Sequence, residues 1–245
     1  MKNLFILIAL VVSFNLYSQV NIVLTGNSKT DAVAYYNRGI DKEGLQDHRG
    51  AIADYTKAIE LKPDFADAYY NRGNEKGNLQ DYRGAIADYT KAIELKPDFA
   101  DAYINRGIAK GNLQDYRGAI ADYNKAIELN PTDDKVYYNR GNAKCNLQDY
   151  RGAIADYSKD IELNPNDAAT YNNRGIAKGN LQDYRGAIAD FTKAIQLNPN
   201  CANAYNNRGV AKYHLQDLNG ACLDWSKAGE LGDAEAYENI KNHCN

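Results

Sequence analysis

Apolar and small residues recur with helical spacing along most of the chain, and the pattern is clearest in residues 66–99. One stripe consists of Tyr69, Arg72, Gly73 and Lys76, and a second consists of Ala85, Ile86, Tyr89, Ala92 and Ile93. Between the stripes, Gly77 favours the end of one helix and Asp81 is suited to cap the next. Pro97 prevents the second helix from continuing. The stretch therefore predicts a pair of antiparallel helices.

This pattern repeats with a period of 34 residues. The period is shown by Pro63, Pro97, Pro131, Pro165 and Pro199. The units it defines are 32–65, 66–99, 100–133, 134–167, 168–201 and 202–235. One helical pair cannot bury its apolar stripe alone, so neighbouring units are expected to stack.

The repeated residues resemble the tetratricopeptide repeat, whose pattern is W-x2-L-G-x2-Y, then A-x3-F, an Ala and a Pro. The matching residues in the second unit are Tyr69, Gly73, Ala85, Tyr89, Ala92 and Pro97. Two departures recur, because Arg72 stands where the family has Leu and Lys76 where it has Tyr. The resemblance implies an all-α, right-handed superhelical solenoid of antiparallel helix hairpins. It also implies a concave groove, lined by the first helix of each repeat, that binds peptide segments or partner proteins.

The two ends of the chain differ from the repeats. Residues 1–18 carry one early Lys, a wholly apolar run and a small residue, the pattern of a bacterial-type secretory signal peptide. Residues 19–31 follow as a short lead-in, and residues 234–245 resemble a lone first helix that caps the array. The protein is therefore expected to be exported, either periplasmic or extracellular. An uncleaved membrane anchor is the alternative for the first segment.

Charge and hydropathy narrow the classes of partner. The net charge is −3, from 29 Lys and Arg against 32 Asp and Glu, and the two signs are mixed throughout. A nucleic-acid partner is not expected, because such proteins usually carry a basic excess on one face. No integral membrane segment is expected once the signal is removed, since no comparable apolar run follows it.

The sequence offers no catalytic, cofactor-binding or metal-binding motif. The 3 His and 4 Cys are scattered, without zinc-ligand spacing, a nucleophile elbow or a phosphate-binding loop. His48 replaces the Tyr of most other units, which suggests a packing role. The recurring Arg72 and Asp88 predict a structural ion pair within or between repeats, with a ladder of anion-binding arginines as the alternative. We expect no enzyme activity.

The cysteines permit one disulfide. Cys222 and Cys244 are equidistant from Asp233, which lies in the predicted turn before the capping helix. Residues equidistant from the turn of a helical hairpin face each other, and an exported protein meets oxidising conditions. Cys145 and Cys201 are expected to stay unpaired, because they lie in first helices two units apart. The alternative is that all four cysteines are small buried apolar residues.

Asn and Tyr predominate on the side of each first helix that is opposite the Arg72 stripe. The candidate partner-binding residues are Tyr36, Asn37, Tyr70, Asn71, Asn74, Asn78, Asn105, Asn112, Tyr138, Asn139, Asn142, Asn146, Asn172, Asn173, Asn180, Asn206 and Asn207. An Asn amide supplies both donors and an acceptor, which suits the backbone of an extended peptide, and Tyr supplies flat contact area. Only Lys135 offers a cation on this side, so capture of a terminal carboxylate is not implied.

These observations predict an exported, non-enzymatic scaffold that binds a protein or extended peptide. Two other functions stay open at this point: a structural spacer of an envelope assembly, and a glycan-binding module. The asparagines could also be merely solvated polar positions.

Overall fold

A computed structural model of the chain describes residues 25–244, in which all regular secondary structure is α-helical. The predicted signal peptide and the beginning of the lead-in lie outside the described residues. The chain divides into two compact units between Leu113 and Gln114. Each is a stack of helices that pack against their neighbours in sequence, so the all-α fold of tandem helical hairpins is confirmed.

The helices follow the predicted repeats closely. The first unit contains α1 (Ser28–Gly44), α2 (His48–Leu61), α3 (Ala66–Asn78), α4 (Tyr82–Leu95) and α5 (Ala100–Asn112). The second unit contains α6 (Tyr116–Leu129), α7 (Asp134–Asn146), α8 (Tyr150–Leu163), α9 (Ala168–Asn180), α10 (Tyr184–Leu197), α11 (Ala202–His214), α12 (Leu218–Glu230) and α13 (Ala234–His243). Since α1 begins at Ser28, part of the predicted lead-in is helical.

The turn inside each hairpin contains a left-handed residue that was not predicted. Asp81 caps α4 as expected, because its side chain accepts a hydrogen bond from the backbone N–H of Gly84. Helix α3 ends at Asn78, next to Gly77, as expected. The left-handed residue that reverses the chain is Gln80, with φ of 62°. The same conformation recurs at Gln46, Gln114, Gln148, Gln182 and Gln216.

The two helices of a hairpin meet at a glycine and an aromatic ring. A Cβ atom added to Gly73 would lie 2.7 Å from Cε1 of Tyr89, which is 4% exposed. The close contact of Gly73 is therefore this ring. Small alanines of the second helices complete the buried core. Each hairpin thus needs glycine in the first helix because the aromatic residue fills the space.

A buried carboxylate explains both departures from the family pattern. In the second repeat, Arg72 donates to both oxygens of Asp88, at 2.9 and 2.6 Å, and Lys76 contacts the same carboxylate at 2.7 Å. Nη1 of Arg72 also donates to the hydroxyl of Thr56 in the preceding second helix, at 3.1 Å. The arginine therefore joins two neighbouring hairpins, as the structural reading predicted. Equivalent Asp contacts hold Arg38, Arg140, Arg174 and Arg208.

The electrostatics of this cluster favour the charged pair. Burial alone would raise the pKa of Asp54 in the first repeat, but hydrogen bonds from Arg38 and Lys42 outweigh it and hold the pKa below its ordinary value. Because the arginines are engaged with carboxylates, the described contacts do not favour an anion-binding ladder. A charged cluster that repeats in this way fixes the geometry of each hairpin more than it adds stability.

Two buried polar contacts depart from the repeat. His48 does more than pack, because its Nδ1 lies 2.6 Å from Oε2 of Glu75 in the next first helix, whose side chain is fully buried. Between α8 and α9, the buried carboxyl of Asp160 forms a short hydrogen bond with the hydroxyl of Thr170, which also contacts Oδ2 of Asp167 at 2.8 Å.

The capping helix closes the second unit as predicted. Ala236 of α13 packs against Trp225 and Ala228 of α12. Cys222 and Cys244 form a disulfide, with 5.8 Å between their Cα atoms, and Cys145 and Cys201 are free. The pairing follows from the antiparallel arrangement of α12 and α13.

Candidate functional site

Clefts open between consecutive first helices in both units. The α3–α5 cleft has a volume of about 350 Å³ and is lined by Asn74, Gly77, Asn78, Tyr82, Tyr89, Asn105, Ile108, Ala109 and Asn112. The α7–α9 cleft, of about 370 Å³, is lined by Asn142, Cys145, Asn146, Tyr157, Asn173 and Ile176. The α9–α11 cleft, of about 240 Å³, is lined by Ile176, Gly179, Asn180, Tyr184, Phe191, Asn207, Val210, Ala211 and His214.

Helical periodicity places the cleft residues on one stripe of each first helix. On α5, Asn105, Ile108 and Asn112 follow one another at three- and four-residue intervals, so their side chains share a face. Tyr89 of the second helix α4 also lines the cleft. The lip residue Asn112 is exposed, and its Nδ2 donates to the carbonyl of Ile108 one turn earlier, at 3.1 Å.

Hydrogen bonds between hairpins hold the amides of the α3–α5 cleft in place. Nδ2 of Asn105 donates to Oδ1 of Asn74 at 2.9 Å and to the hydroxyl of Tyr70 at 3.0 Å. The hydroxyl of Tyr89 donates to the same Oδ1 at 2.9 Å. Burial raises the pKa of Tyr89, so the hydroxyl remains a donor at neutral pH. The cleft therefore has orientated amides and not freely rotating ones.

The same network recurs in the α7–α9 cleft. Asn173 donates to Tyr138 at 3.2 Å and to Oδ1 of Asn142 at 3.1 Å, and the hydroxyl of Tyr157 donates to that Oδ1 at 2.7 Å. Cys145 lies beside this network, and burial raises the pKa of its thiol. A neutral thiol is a poor nucleophile and a poor metal ligand.

The α9–α11 cleft is less polar. Ile176 takes the place that Asn142 has in the preceding cleft, and Phe191 replaces Tyr157 on the floor. Val210 lines the facing helix. At the rim the rings of Tyr184 and His214 are stacked, with their centroids 4.5 Å apart.

The structure brings many of the predicted asparagines into the clefts. The asparagines that line the α3–α5 cleft are Asn74, Asn78, Asn105 and Asn112, and those that line the two clefts of the second unit are Asn142, Asn146, Asn173, Asn180 and Asn207. Asn37 and Asn139 line none of these clefts.

Other predicted residues serve the packing of first helices. Asn71 donates to the hydroxyl of Tyr36 at 3.1 Å, and Asn172 accepts from Asn207 at 3.3 Å. Asn206 is only 4% exposed and accepts a hydrogen bond from Asn239 of the capping helix at 3.1 Å, so it does not belong to an open surface.

The three predicted tyrosines do not supply open contact area. Tyr36 packs on Phe65 and Tyr70 packs on Phe99, each with 4.7 Å between ring centroids. Tyr138 lies 6.1 Å from the ring of Tyr157. Their position in the first helix faces the neighbouring hairpin, where the rings fill the interface and the hydroxyls accept hydrogen bonds from asparagines.

Sequence reasoning missed the apolar part of the clefts. The missed residues are Cys145, Ile108, Ile176 and Val210 of the first helices and Tyr82, Tyr89, Tyr157, Tyr184 and Phe191 of the second helices, together with His214. A signal was present, because Ile108 is one turn from Asn105 and Asn112 on the same stripe. The polar neighbours Asn105 and Asn112 were predicted from this stripe, but the apolar Ile108 between them was not.

The described clefts lack ionised carboxylates and cations. Their lining contains no Lys, Arg, Asp or Glu. Among residues 25–244, no group of His, Cys, Asp and Glu side chains could hold a metal ion. The arrangement is thus suited to a neutral ligand that offers hydrogen-bonding and apolar groups.

Helices long and apolar enough to cross a membrane are absent from the part of the chain that the structure describes.

Comparison with known proteins identifies the repeats. Tetratricopeptide repeat models match residues 66–99, 100–133 and 168–201, and also 122–155. A TPR repeat model matches residues 45–75 and 141–182. No curated protein matches the sequence significantly.

Solved structures share the fold. YrrB, described as a TPR protein with an unusual peptide-binding site, is 25% identical with a TM-score of 0.68, and the match covers 77% of this chain and 97% of YrrB. MamA is 25% identical with a TM-score of 0.67, over 73% of this chain and 96% of MamA. PilF of Pseudomonas aeruginosa is 18% identical with a TM-score of 0.72, and the match covers 88% of this chain and 98% of PilF. At this identity the similarity supports the fold alone.

Proposed function

Because the chain belongs to the tetratricopeptide repeat family, we propose that it is an exported scaffold whose clefts between first helices bind an extended segment of a partner protein. The observation that carries the proposal is the recurrence of neutral clefts with equivalent linings in both units. Equivalent clefts suit a ligand that is itself periodic, which an extended polypeptide is. YrrB, a TPR protein described as having an unusual peptide-binding site, supports the same class of ligand.

A non-enzymatic role is part of this proposal. The recurring acidic and basic side chains form the ion pairs that hold the hairpins, and the recurring amides hold one another. Such groups are structural in each repeat, whereas catalysis needs one converging cluster of reactive groups. The glycan-binding alternative has less support, since Tyr36, Tyr70 and Tyr138 are half-buried and packed on other aromatic rings, so they offer little open face for a sugar to stack on.

Export is proposed from the pattern of residues 1–18 and from the disulfide of Cys222 with Cys244, which requires an oxidising compartment to persist. We expect the mature protein to begin at Gln19 and to be found outside the cytoplasm. N-terminal sequencing after cell fractionation measures both. A cytoplasmic protein that still begins at Met1 would contradict export without affecting the peptide-binding proposal.

Peptide binding is tested at the lips of the clefts. Asn112, Asn146 and Asn180 are exposed, and each donates its amide to a carbonyl of its own helix. Changing all three to Ala should leave thermal unfolding nearly unchanged, because no contact between helices is removed. It should weaken the binding of short peptides that the native protein selects from a displayed random library.

A matched control changes exposed residues on second helices. Glu94, Glu162 and Gln196 lie outside the described clefts, and replacing them with Ala should preserve peptide affinity. If the triple Asn variant and the control bind the peptides with equal affinity, the peptide-binding surface lies elsewhere on the protein. Selection of no peptide at all by the native protein would refute the function.

A further inference from the structure

The adjacent clefts of the second unit have different chemistry at equivalent positions. In the α7–α9 cleft the pair is Asn142 and Tyr157, whereas in the α9–α11 cleft it is Ile176 and Phe191. Ile176 lines both clefts, so the polar and apolar sites share a wall. Since the positions are related by the repeat, both clefts open on the same stripe of the first helices.

The α7–α9 cleft is arranged for a carboxamide. Tyr157 and Asn173 both donate to Oδ1 of Asn142, which fixes the amide plane. Nδ2 of Asn142 has no hydrogen-bond partner within residues 25–244, and Oδ1 of Asn146 lies on the same rim. A ligand carboxamide can accept from the first and donate to the second, which neither an aliphatic group nor a single charge can do.

The α9–α11 cleft is arranged for an aliphatic side chain. Ile176, Val210 and Phe191 present only carbon atoms and Ile176 is 39% exposed, while the polar groups of the cleft belong to Asn180, Tyr184, Asn207 and His214. Covering these residues removes apolar surface from water. A ligand amide placed there would lose its hydrogen bonds to water without replacing them at these walls, which costs free energy.

The spacing of the clefts selects the ligand conformation. The first helices α7, α9 and α11 contact one another in turn through the Asn173–Asn142 and Asn207–Asn172 hydrogen bonds, and packed helices lie about 8–10 Å apart. One turn of a polyproline II helix contains three residues and advances about 9.3 Å. Side chains three residues apart in that conformation therefore point the same way at about the spacing of the clefts. In a β-strand, residues three apart point to opposite faces.

The lining of the two clefts disfavours charged peptide segments as ligands. Neither cleft is lined by Lys, Arg, Asp or Glu, His214 is the one titratable imidazole among their lining residues, and the nearby Arg174 and Lys178 are held by Asp190. An ionised side chain or chain terminus would enter either cleft without a counter-charge. The ligand is accordingly an uncharged internal segment.

We propose that the second unit recognises an uncharged polyproline II segment with a carboxamide side chain three residues from an aliphatic one. The carboxamide occupies the α7–α9 cleft and the aliphatic side chain occupies the α9–α11 cleft. This inference rests on the proposed function and adds the chemistry of the ligand to it.

The test uses the full mature chain and fluorescent peptides with blocked termini. The parent peptides contain Gln-Pro-Ser-Leu and, because either chain direction is open, Leu-Pro-Ser-Gln. Comparison peptides replace Gln with Leu, replace Gln with Glu, or shorten the spacing to Gln-Pro-Leu. Fluorescence anisotropy should give at least about tenfold weaker binding for each of them than for the better parent, the size expected for one lost hydrogen bond or contact.

A specificity swap separates recognition from stability. The double substitution Asn142→Ile with Tyr157→Phe installs the pair that the chain itself uses at Ile176 and Phe191, so the fold is expected to accommodate it. This variant should prefer the Leu-Pro-Ser-Leu peptide over the parent, also by about tenfold. If it fails to fold, a second variant, Phe191→Tyr with Val210→Asn, adds hydrogen-bonding groups to the α9–α11 cleft and leaves the shared wall residue Ile176 in place, and it should remove the preference for Leu at that site.

The outcomes are distinct. A preference for the parent peptide that is reversed in the swapped variant supports the inference. Binding of all uncharged peptides with equal affinity, or an unchanged preference in a folded swapped variant, overturns it and leaves the proposed function standing. Failure of these peptides together with failure of any library peptide overturns both.

Discussion

Asp160 gives the sharpest test of the electrostatics inside the repeat stack. Its carboxyl is 2% exposed and contacts the hydroxyl of Thr170, which also contacts Asp167. A hydroxyl has one proton and can donate to only one of these carboxyl groups. Because the hydroxyl proton of Thr170 is shared between Asp160 and Asp167, it stabilises a charge on the buried Asp160 only in part. We therefore expect Asp160 to carry a proton in the folded protein under mildly acidic conditions.

The pKa of Asp160 agrees with this arrangement. Burial raises it from the ordinary 3.8 to about 6, the hydrogen bond from Thr170 opposes the rise, and the charges of Asp167 and Asp134 add to it. As pH rises through the window from about 4 to about 6, the unfolded chain loses this proton before the folded chain does. Stability therefore falls through the window. The loss amounts to about 3 kcal/mol, at about 1.4 kcal/mol per pH unit.

Two substitutions measure this loss. Asp160→Asn keeps the shape but does not titrate, and Asp160→Ala with Thr170→Ala restores alanines such as those at Ala92 and Ala102 in an earlier repeat. In both variants the free energy of unfolding, relative to the native sequence, should increase by about 3 kcal/mol between pH 4 and pH 7. Urea unfolding followed by far-ultraviolet circular dichroism at several pH values measures the difference. A difference that does not vary with pH would refute the reasoning.

The remaining predictions concern the hairpins and the cap. Gly141→Ala should lower the free energy of unfolding by about 1–3 kcal/mol, because the new Cβ would lie 2.7 Å from the buried ring of Tyr157. Gly111→Ala should raise it slightly, because nothing lies within 4 Å of the new Cβ. Equal effects of the two substitutions in thermal unfolding would contradict the packing. Gln148→Gly should raise the unfolding free energy by up to about 1 kcal/mol by relieving a φ of 61°, and no gain in urea titrations would count against strain there. Replacing Cys222 and Cys244 with Ser should lower the free energy of unfolding by about 3 kcal/mol. In hydrogen exchange the capping helix should lose protection first. Unchanged protection would show that the disulfide does not hold the capping helix.

The linear sequence determined the repeat and its hairpins. Helical stripes, Asp81 as a cap and Pro97 as a stop are local features, so their positions follow from backbone geometry within one helix. The pairing of Arg72 with Asp88 was also accessible, because opposite charges recur at fixed places on two adjacent helices. The same symmetry about the last turn paired Cys222 with Cys244.

Some local features nevertheless escaped sequence reasoning. The left-handed residue of each turn is Gln80 or its equivalent, although Gly77 is intrinsically better suited to a helix end. The reversal falls on the glutamine because the helix end is closed there by two backbone hydrogen bonds, from the N–H of Gln80 to the carbonyl of Gly77 and from the N–H of Asp81 to the carbonyl of Lys76, both at 2.8 Å. Likewise, the helical pattern placed Tyr89 on the stripe of the second helix, but it did not show that the ring of Tyr89 is the group that meets Gly73.

Only the tertiary structure decided which polar side chains are available to a ligand. Asn105 bonds to residues 31 and 35 positions earlier, in the preceding first helix, and such separations belong to no periodicity of a single helix. Asn172 and Asn206 occupy equivalent positions of α9 and α11, yet Asn172 is half-buried and bonds to Asn207, whereas Asn206 is buried and bonds to Asn239 of the capping helix. A sequence fixes the face on which a side chain lies, because that depends on residues within one turn. Whether the face remains open depends on the packing of separate helices and on the reach of the side chains between them.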